Sequence, residues 1–227
     1  VVRAERDWED GRPSGGLLVI PLSPELVDAG AAVLARAFAR DAAWAAVFPD
    51  EAERRAVLPR VWRALVGYSL IYGCVLTTPS LEGVLCFLPP GEARVTAWRE
   101  LRTGLRFARI LLSLSRASRA RFLRFWPRVD ALRRSTVGRA HGYVWALGVG
   151  PDRRGQGVGG ALLEAACARC AASDDLCALE TEAPENVRFY ERHAFCVIRT
   201  ETIEPLGVHV WILARHLDKL SAHQQDP

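Results

Sequence analysis

Val149-Gly150-Pro151-Asp152-Arg153-Arg154-Gly155-Gln156-Gly157-Val158-Gly159-Gly160-Ala161-Leu162-Leu163 is the stretch whose reading decides the fold. The apolar run Tyr143 to Val149 before it reads as a strand, and Gly157 to Ala172 reads as a helix, so strand, glycine-rich turn and helix join directly. A turn of this kind suits an anion. Glycines remove the Cβ atoms that would hold a phosphate away, and the free N–H groups and dipole of the helix start point at it. Arg153 and Arg154 add charge. Gly155, Gly157 and Gly160 also satisfy the spacing of a dinucleotide fingerprint, but there the first glycine ends the strand, and here Pro151 to Arg154 intervene. No Gly-Lys-Ser/Thr follows, which excludes a nucleoside-triphosphate P-loop. The competing structural reading is a tight connection whose glycines serve packing alone.

Outward from the turn, Leu176 to Thr181 reads as a strand, Glu185 to His193 as a short helix, and Phe195 to Thr202 and Val208 to Ala214 as two strands. Upstream, Leu17 to Ile20 reads as a first strand and Pro24 to Arg40 as a helix capped by Ser23. A second helix is expected over Asp50 to Tyr68, then strands Tyr72 to Thr77 and Gly83 to Leu88. From Arg94 to Arg134 the pattern predicts two helices, broken near Ser113 to Ser118 and before Pro127. With no internal repeat or low-complexity linker, the 227 residues are expected to form one α/β domain: a mixed central sheet flanked by helices. Its parts are a helical insertion at about 92–135, a core at about 141–214 and a polar tail at 218–227.

Half of the residues are hydrophobic and a quarter charged, which describes a globular chain and excludes disorder. The net charge of +4 is carried by arginine, since Lys219 is the only lysine, and this argues against a nucleic-acid partner. The excess is local: ten arginines crowd the stretch from Arg94 to Arg128, as expected of solvated helix faces. Cys74, Cys86, Cys167, Cys170, Cys177 and Cys196 sit inside apolar or helical patterns, which predicts free thiols in a cytoplasmic protein. Cys167-x-x-Cys170 has no second half, so no metal site is expected. Val1 to Pro13 lacks an apolar core and no stretch is long enough to span a bilayer, so export and a membrane partner are not expected.

The central turn also reads as Arg154-x-x-Gly157-x-Gly159, and here the chain resembles the GNAT superfamily of acyl-CoA N-acyltransferases. Leu179 to Phe195 looks like that family's second signature: a strand, a loop with Asn186, and a helix ending Phe189-Tyr190-Glu191-Arg192. Ala194 stands where glycine is usual, at a helix end that often needs positive φ. The wording Leu-Glu-Thr-x-Ala-Pro-x-Asn-x-x-Phe-Tyr-Glu-Arg is similar to the puromycin N-acetyltransferase group, which also carries a helical insertion before the cofactor strand.

The resemblance implies a GNAT fold and acetyl-CoA as cofactor. The implied contacts are Leu147, Gly148 and Val149 on a strand that splays to pair with the pantetheine arm. Arg154, Gly155, Gln156, Gly157, Val158, Gly159 and Gly160 hold the pyrophosphate, and Asn186, Tyr190 and Arg192 complete the site. Tyr190 is the implied general acid for the departing thiolate, with strand amides near Leu147 polarising the carbonyl. Asn186 is expected to cap the short helix or bond the pantetheine. For the base, Glu180 is favoured over His141 and Glu82. Alternation puts Glu180 and Glu182 on one side of the strand, leaving one of them structural. Trp44, Phe48, Phe87, Trp98, Phe107, Phe122, Phe125, Trp126 and Trp145 are enough to line an apolar acceptor pocket, which favours an aromatic amine; a polycationic tail would be repelled if the insertion's arginines faced the cleft. The expected reaction is direct acetyl transfer in a ternary complex to a primary amine of a small molecule, such as an aminonucleoside, by a monomer or homodimer. The alternatives are a peptide or protein N-acetyltransferase and a non-catalytic coenzyme A-binding module.

Overall fold

Seven strands form one mixed sheet in the order β1-β2-β3-β4-β5-β7-β6 in the computed structural model, which describes residues 16–92, 96–171 and 176–215. In chain order they are β1 Ile20–Pro21, β2 Cys74–Thr77, β3 Gly83–Leu88, β4 His141–Val149, β5 Leu176–Thr181, β6 Cys196–Ile203 and β7 Val208–Arg215. The β4–β5 pair is parallel and every other pair antiparallel. The helices are α1 Val27–Ala37, α2 Ala42–Val47, α3 Glu51–Tyr72, α4 Ala97–Arg102, α5 Arg106–Ser113, α6 Arg116–Val137, α7 Val158–Ala171 and α8 Pro184–Arg192. The expected tail at 218–227, the stretch Val1 to Pro13 and Arg94 lie outside the described residues.

Each face of the sheet carries its own core. On one side Val84, Cys86, Ala146, Val210 and Ile212 meet α1, α2, α3 and α6 through Leu34, Trp44, Trp62, Phe125 and Val129. On the other, Leu85, Phe87, Val144, Leu179 and Leu213 meet α7 and α8 through Leu162, Leu163, Ala166 and Tyr190. Alternation along β3 explains this: all six of its residues are buried because both faces are covered.

Several expectations move. The first helix is shorter, because Pro24–Leu26 form a 3₁₀ turn and Ser23 makes no side-chain cap. Between it and the second helix lies α2, for which no helix was expected; its signal is Asp41, whose Oδ1 accepts from the Trp44 amide at 3.1 Å. The insertion holds three helices, divided at Gly104 and Leu105, which both have positive φ. Pro127 does not end α6. Its face of the helix is exposed, so water can take the carbonyl it leaves unpaired while Phe125, Val129 and Leu132 anchor the opposite face.

Candidate active site

β4 and β5 hydrogen-bond only where His141 to Tyr143 lie beside Leu176 to Ala178. Beyond that they part, β4 staying with β3 as far as Val149 and β5 with β7 as far as Thr181. The bend begins at Trp145. Phe87 pairs with Val144 and Cys86 with Ala146, so Trp145 is one residue too many for the ladder, and such a bulge turns its strand. Its ring packs on Tyr68 and Phe107, with centroids 5.4 and 6.2 Å away. The edge of β4 that faces the gap therefore carries backbone donors and acceptors without a β5 partner, open to an extended, amide-bearing ligand.

The glycine-rich turn sits at the end of this open edge. Gly155 and Gly157 have φ of +75° and +82°, conformations that L side chains rarely adopt; Gly155 faces open space, and a Cβ at Gly157 would meet only Leu17, at 3.8 Å. Gly159 and Gly160 do something else. A Cβ at Gly159 would lie 3.4 Å from Phe189 and one at Gly160 2.8 Å from His193, so these two let α8 pack on the first turn of α7. Two glycines thus shape the backbone and two serve packing. The first amides of α7, from Val158 onward, have no partner within the helix. Arg154 donates to the Ala37 carbonyl at 3.0 Å and Arg153 lies 3.5 Å from Glu82, so both arginines are tethered at the rim of the turn.

Gap and turn open into one cleft of about 2730 Å³. Its wall includes Leu147, Gly148 and Val149, the turn from Arg153 to Gly160, and Asn186, Phe189, Tyr190 and Arg192 of α8. Opposite stand Phe38, Arg40, Asp41, Ala42 and Glu182. Ligand pockets for small molecules run to about 1,000 Å³, so this space suits a long cosubstrate and a second reactant together. The cofactor-contact residues expected from the sequence, from Leu147 to Arg192, all lie on it.

Residues 118–195 match the family model described as Acetyltransferase (GNAT) family. The stretch runs from α6 through the parted strand and glycine turn to the end of α8. Solved structures agree over a wider range. A structure described as histone acetyltransferase HPA2 and related acetyltransferase, from Corynebacterium glutamicum, superposes with a TM-score of 0.63 at 20% identity, covering 88% of this chain and 95% of that one. A mosquito arylalkylamine N-acetyltransferase-like protein gives 0.58 at 14% identity, over 88% and 100%. The Drosophila melanogaster polyamine N-acetyltransferase gives 0.56 at 16% identity, again over 88% and 100%. The fold is a GNAT fold. No curated protein matches the chain, and the nearer likeness to the puromycin N-acetyltransferases gains nothing from these comparisons.

In this GNAT fold the Tyr190 ring is buried against Phe189 and Phe195, and its hydroxyl takes no hydrogen bond among the described residues. Burial, with Glu182 and Glu180 nearby, pushes the phenol above its usual range, so it holds its proton at neutral pH. Glu182 follows the end of β5 and faces the cleft; its Oε1 is buried without a hydrogen-bond partner among the described residues. Burial, then Asp41 and Glu180, raise its carboxyl well above the ordinary range. Asp41 is raised too, by burial against the pull of the Trp44 and Ala43 amides, with Glu185 adding to it. Asp41, Glu182 and Glu185 give this end of the cleft an acidic wall.

The residues weighed as bases from the sequence lie elsewhere. Glu180 is off the cleft wall: it accepts from the Tyr143 hydroxyl and lies 3.4 Å from Arg133, and burial brings its carboxyl up to about 7. His141 is buried with Nδ1 on the Arg139 carbonyl at 2.8 Å and Nε2 on Arg133 at 2.7 Å, and desolvation lowers it. Glu82 is held by Arg153 outside the main cleft. Asn186 is not the cap of α8, a place held by Ala183; it lies in the first turn and donates to Thr181 at 3.2 Å. The expected aromatic pocket is also corrected. Of the nine aromatics only Phe87 reaches the cleft; Trp44, Phe48 and Phe125 are core, and Trp98 is exposed. The insertion's arginines in α4 to α6 are absent from the wall, so they do not repel a cationic acceptor there.

Proposed function

We propose that the protein transfers an acetyl group from acetyl-CoA to a primary amine of a small molecule, directly and without a covalent enzyme intermediate. Glu182 and Asp41 stand with the Tyr190 hydroxyl on one cleft, beside the open edge of β4, and this arrangement carries the reading. The bound coenzyme supplies the activated acyl group. The chain supplies the rest. Gly155 to Gly160 and the first amides of α7 hold the pyrophosphate, and the open edge from Ala146 to Val149 aligns the pantetheine arm. Glu182, with Asp41 as its neighbour, takes the ammonium proton from the acceptor nitrogen, leaving a lone pair for attack. The Leu147 region offers backbone N–H groups to the carbonyl oxygen, and the Tyr190 hydroxyl gives a proton to the departing sulfur.

Two carboxylates with raised pKa and no ion pair among the described residues favour a positively charged amine. That agrees with the polyamine and arylalkylamine acceptors named for the fold neighbours, and an aminonucleoside also fits. Cys74 is the only cysteine on the cleft wall, and burial pushes its thiol up, which disfavours an acyl-cysteine route. The reading takes residues 1–227 as a single domain.

The test incubates acetyl-CoA with a panel of primary amines, including agmatine, a polyamine, an arylalkylamine and puromycin, and follows thiol release and acetylated product by mass spectrometry. Product from at least one amine is expected. Tight acetyl-CoA binding with no thiol release across the panel would leave a non-catalytic coenzyme A module as the better account.

A further inference from the structure

Where the β4–β5 ladder stops, side chains take over. Tyr143 is the last β4 residue in register with β5, opposite Ala178, and its hydroxyl donates to Oε1 of Glu180, two residues further along β5. Arg133 reaches this point from α6 at 1% exposure. Its guanidinium lies 3.7 Å over the Tyr143 ring, its Nε 3.4 Å from Glu180 Oε2, and its Nη2 2.7 Å from Asp130. Nη1 is 2.7 Å from Nε2 of His141, the first β4 residue paired with β5. One guanidinium therefore touches side chains on both strands at the place where their backbones separate.

We propose that Tyr143, Glu180 and Arg133 form a side-chain spacer that sets the width of the gap between β4 and β5, and with it the affinity of the open β4 edge for the pantetheine arm. The proposal rests on the acyl-CoA reading above. Desolvating an arginine and a carboxylate together is a poor way to add stability, because apolar residues of similar volume commonly do as well. Geometry is what such a pair can add. The Tyr143 phenol and Glu180 carboxyl span the gap as a strut of fixed length, and Arg133 holds both ends, since it is anchored on α6 by Asp130. None of the three lines the cleft, so they act on a ligand only by placing the strand edges; they are positioning residues. The bulge at Trp145 bends β4 away, and the spacer fixes how far.

The experiment compares two ligands by calorimetric titration of the full chain. Coenzyme A carries the pantetheine arm. 3′-Phospho-ADP carries the pyrophosphate and adenosine but no arm, and so reports the glycine turn alone. Tyr143→Phe, which keeps the ring under Arg133, and Glu180→Ala are expected to weaken coenzyme A about tenfold, since sub-ångström misplacement of a binding edge is costly. Both should bind 3′-phospho-ADP as the unsubstituted chain does. Glu180→Gln keeps a carbonyl acceptor for Tyr143 and should restore most of the affinity. In turnover the same variants should raise KM for acetyl-CoA with little change in kcat. Equal weakening of both ligands, or of neither, in variants that melt cooperatively would overturn the spacer while leaving the acyl-CoA reading in place. An unsubstituted chain that binds neither ligand overturns that reading, and the spacer's role with it.

Discussion

Tyr190→Phe removes one oxygen from the cleft and almost nothing else. The ring contacts with Phe189 and Phe195, at centroid distances of 5.2 and 5.9 Å, survive in phenylalanine. The hydroxyl makes no hydrogen bond among the described residues, so its loss leaves no partner orphaned. Stability should therefore stay within about 0.5 kcal/mol of the unsubstituted chain, as for substitutions that leave packing and polar partners intact. The rate should not. A positioned general acid is worth about 10²- to 10⁴-fold, or roughly 2.7 to 5.5 kcal/mol of barrier. Because the proton is delivered as the sulfur departs, the loss should appear in kcat and kcat/KM together, with KM for acetyl-CoA nearly constant. Thiol release against the best amine of the panel, read beside a thermal melt of each protein, measures both quantities. A variant whose kcat stays within about threefold of the unsubstituted value refutes the acid role. A large fall in melting temperature refutes the claim that the hydroxyl is free of structural work.

The raised carboxyl of Glu182 places the acidic limb of kcat/KM above the ordinary carboxylate range, because the base form appears only once that proton leaves. Asp41→Asn deletes a like charge and should move the limb to lower pH, while Glu182→Gln should abolish it and cost about 10²- to 10⁴-fold; a limb unmoved by Asp41→Asn refutes the coupling. Ala194 has φ of +61°, where a Cβ costs about 1 to 2 kcal/mol and glycine none, so after the extra freedom of glycine in the unfolded chain Ala194→Gly should add about 0.5 to 1 kcal/mol. A calorimetric melt should show a rise of roughly 1 to 4 °C, and a fall would contradict the strain. Gly160→Ala would gain helix propensity, but its Cβ would meet the His193 ring at 2.8 Å, a ring held by Glu164 at 3.1 Å and by Phe189. The substitution should destabilise the chain, yet stabilise it by roughly 0.5 to 1 kcal/mol once His193→Ala has made room, which urea titrations of the two backgrounds would compare.

The part of the fold that local chemistry specifies was legible in the sequence. β3 and β5 fall on the expected residues, and β4, α7, α8, β6 and β7 within two, because glycine, proline and short apolar runs bound them sharply. The requirement for positive φ at Ala194 was legible too, from the residue that other helices of this type place there. What escaped was set by neighbours distant in sequence. The path of α6 through Pro127 depends on which face packs on the sheet. The division at Gly104 and Leu105 puts a leucine at φ of +54°, a conformation that its side chain disfavours and composition does not announce.

The acid–base assignment shows the same limit at the scale of one residue. Alternation along Leu179 to Glu182 puts Glu180 and Glu182 on the same side of the sheet, and nothing local separates them. What separates them is what arrives opposite. Glu180 meets Arg133 from α6 and Tyr143 from β4 and is enclosed by them; Glu182 meets the start of α2, where Asp41 brings a second carboxylate, and neither of these two has an ion pair among the described residues. A carboxylate buried beside a guanidinium is held in place and shielded from substrate. One buried beside another carboxylate is pushed further toward holding a proton; Glu180 is raised as well, to about 7, so what separates the two is that Glu182 lines the cleft and Glu180 does not. Asp41 was open to detection as the cap of a helix, and its second role follows only from where that helix is packed. The aromatic count misled for the same reason: Trp44, Phe48 and Phe125 fill the space under α2 and α6, and the cleft wall beside α2 carries Asp41, Glu182 and Glu185 instead.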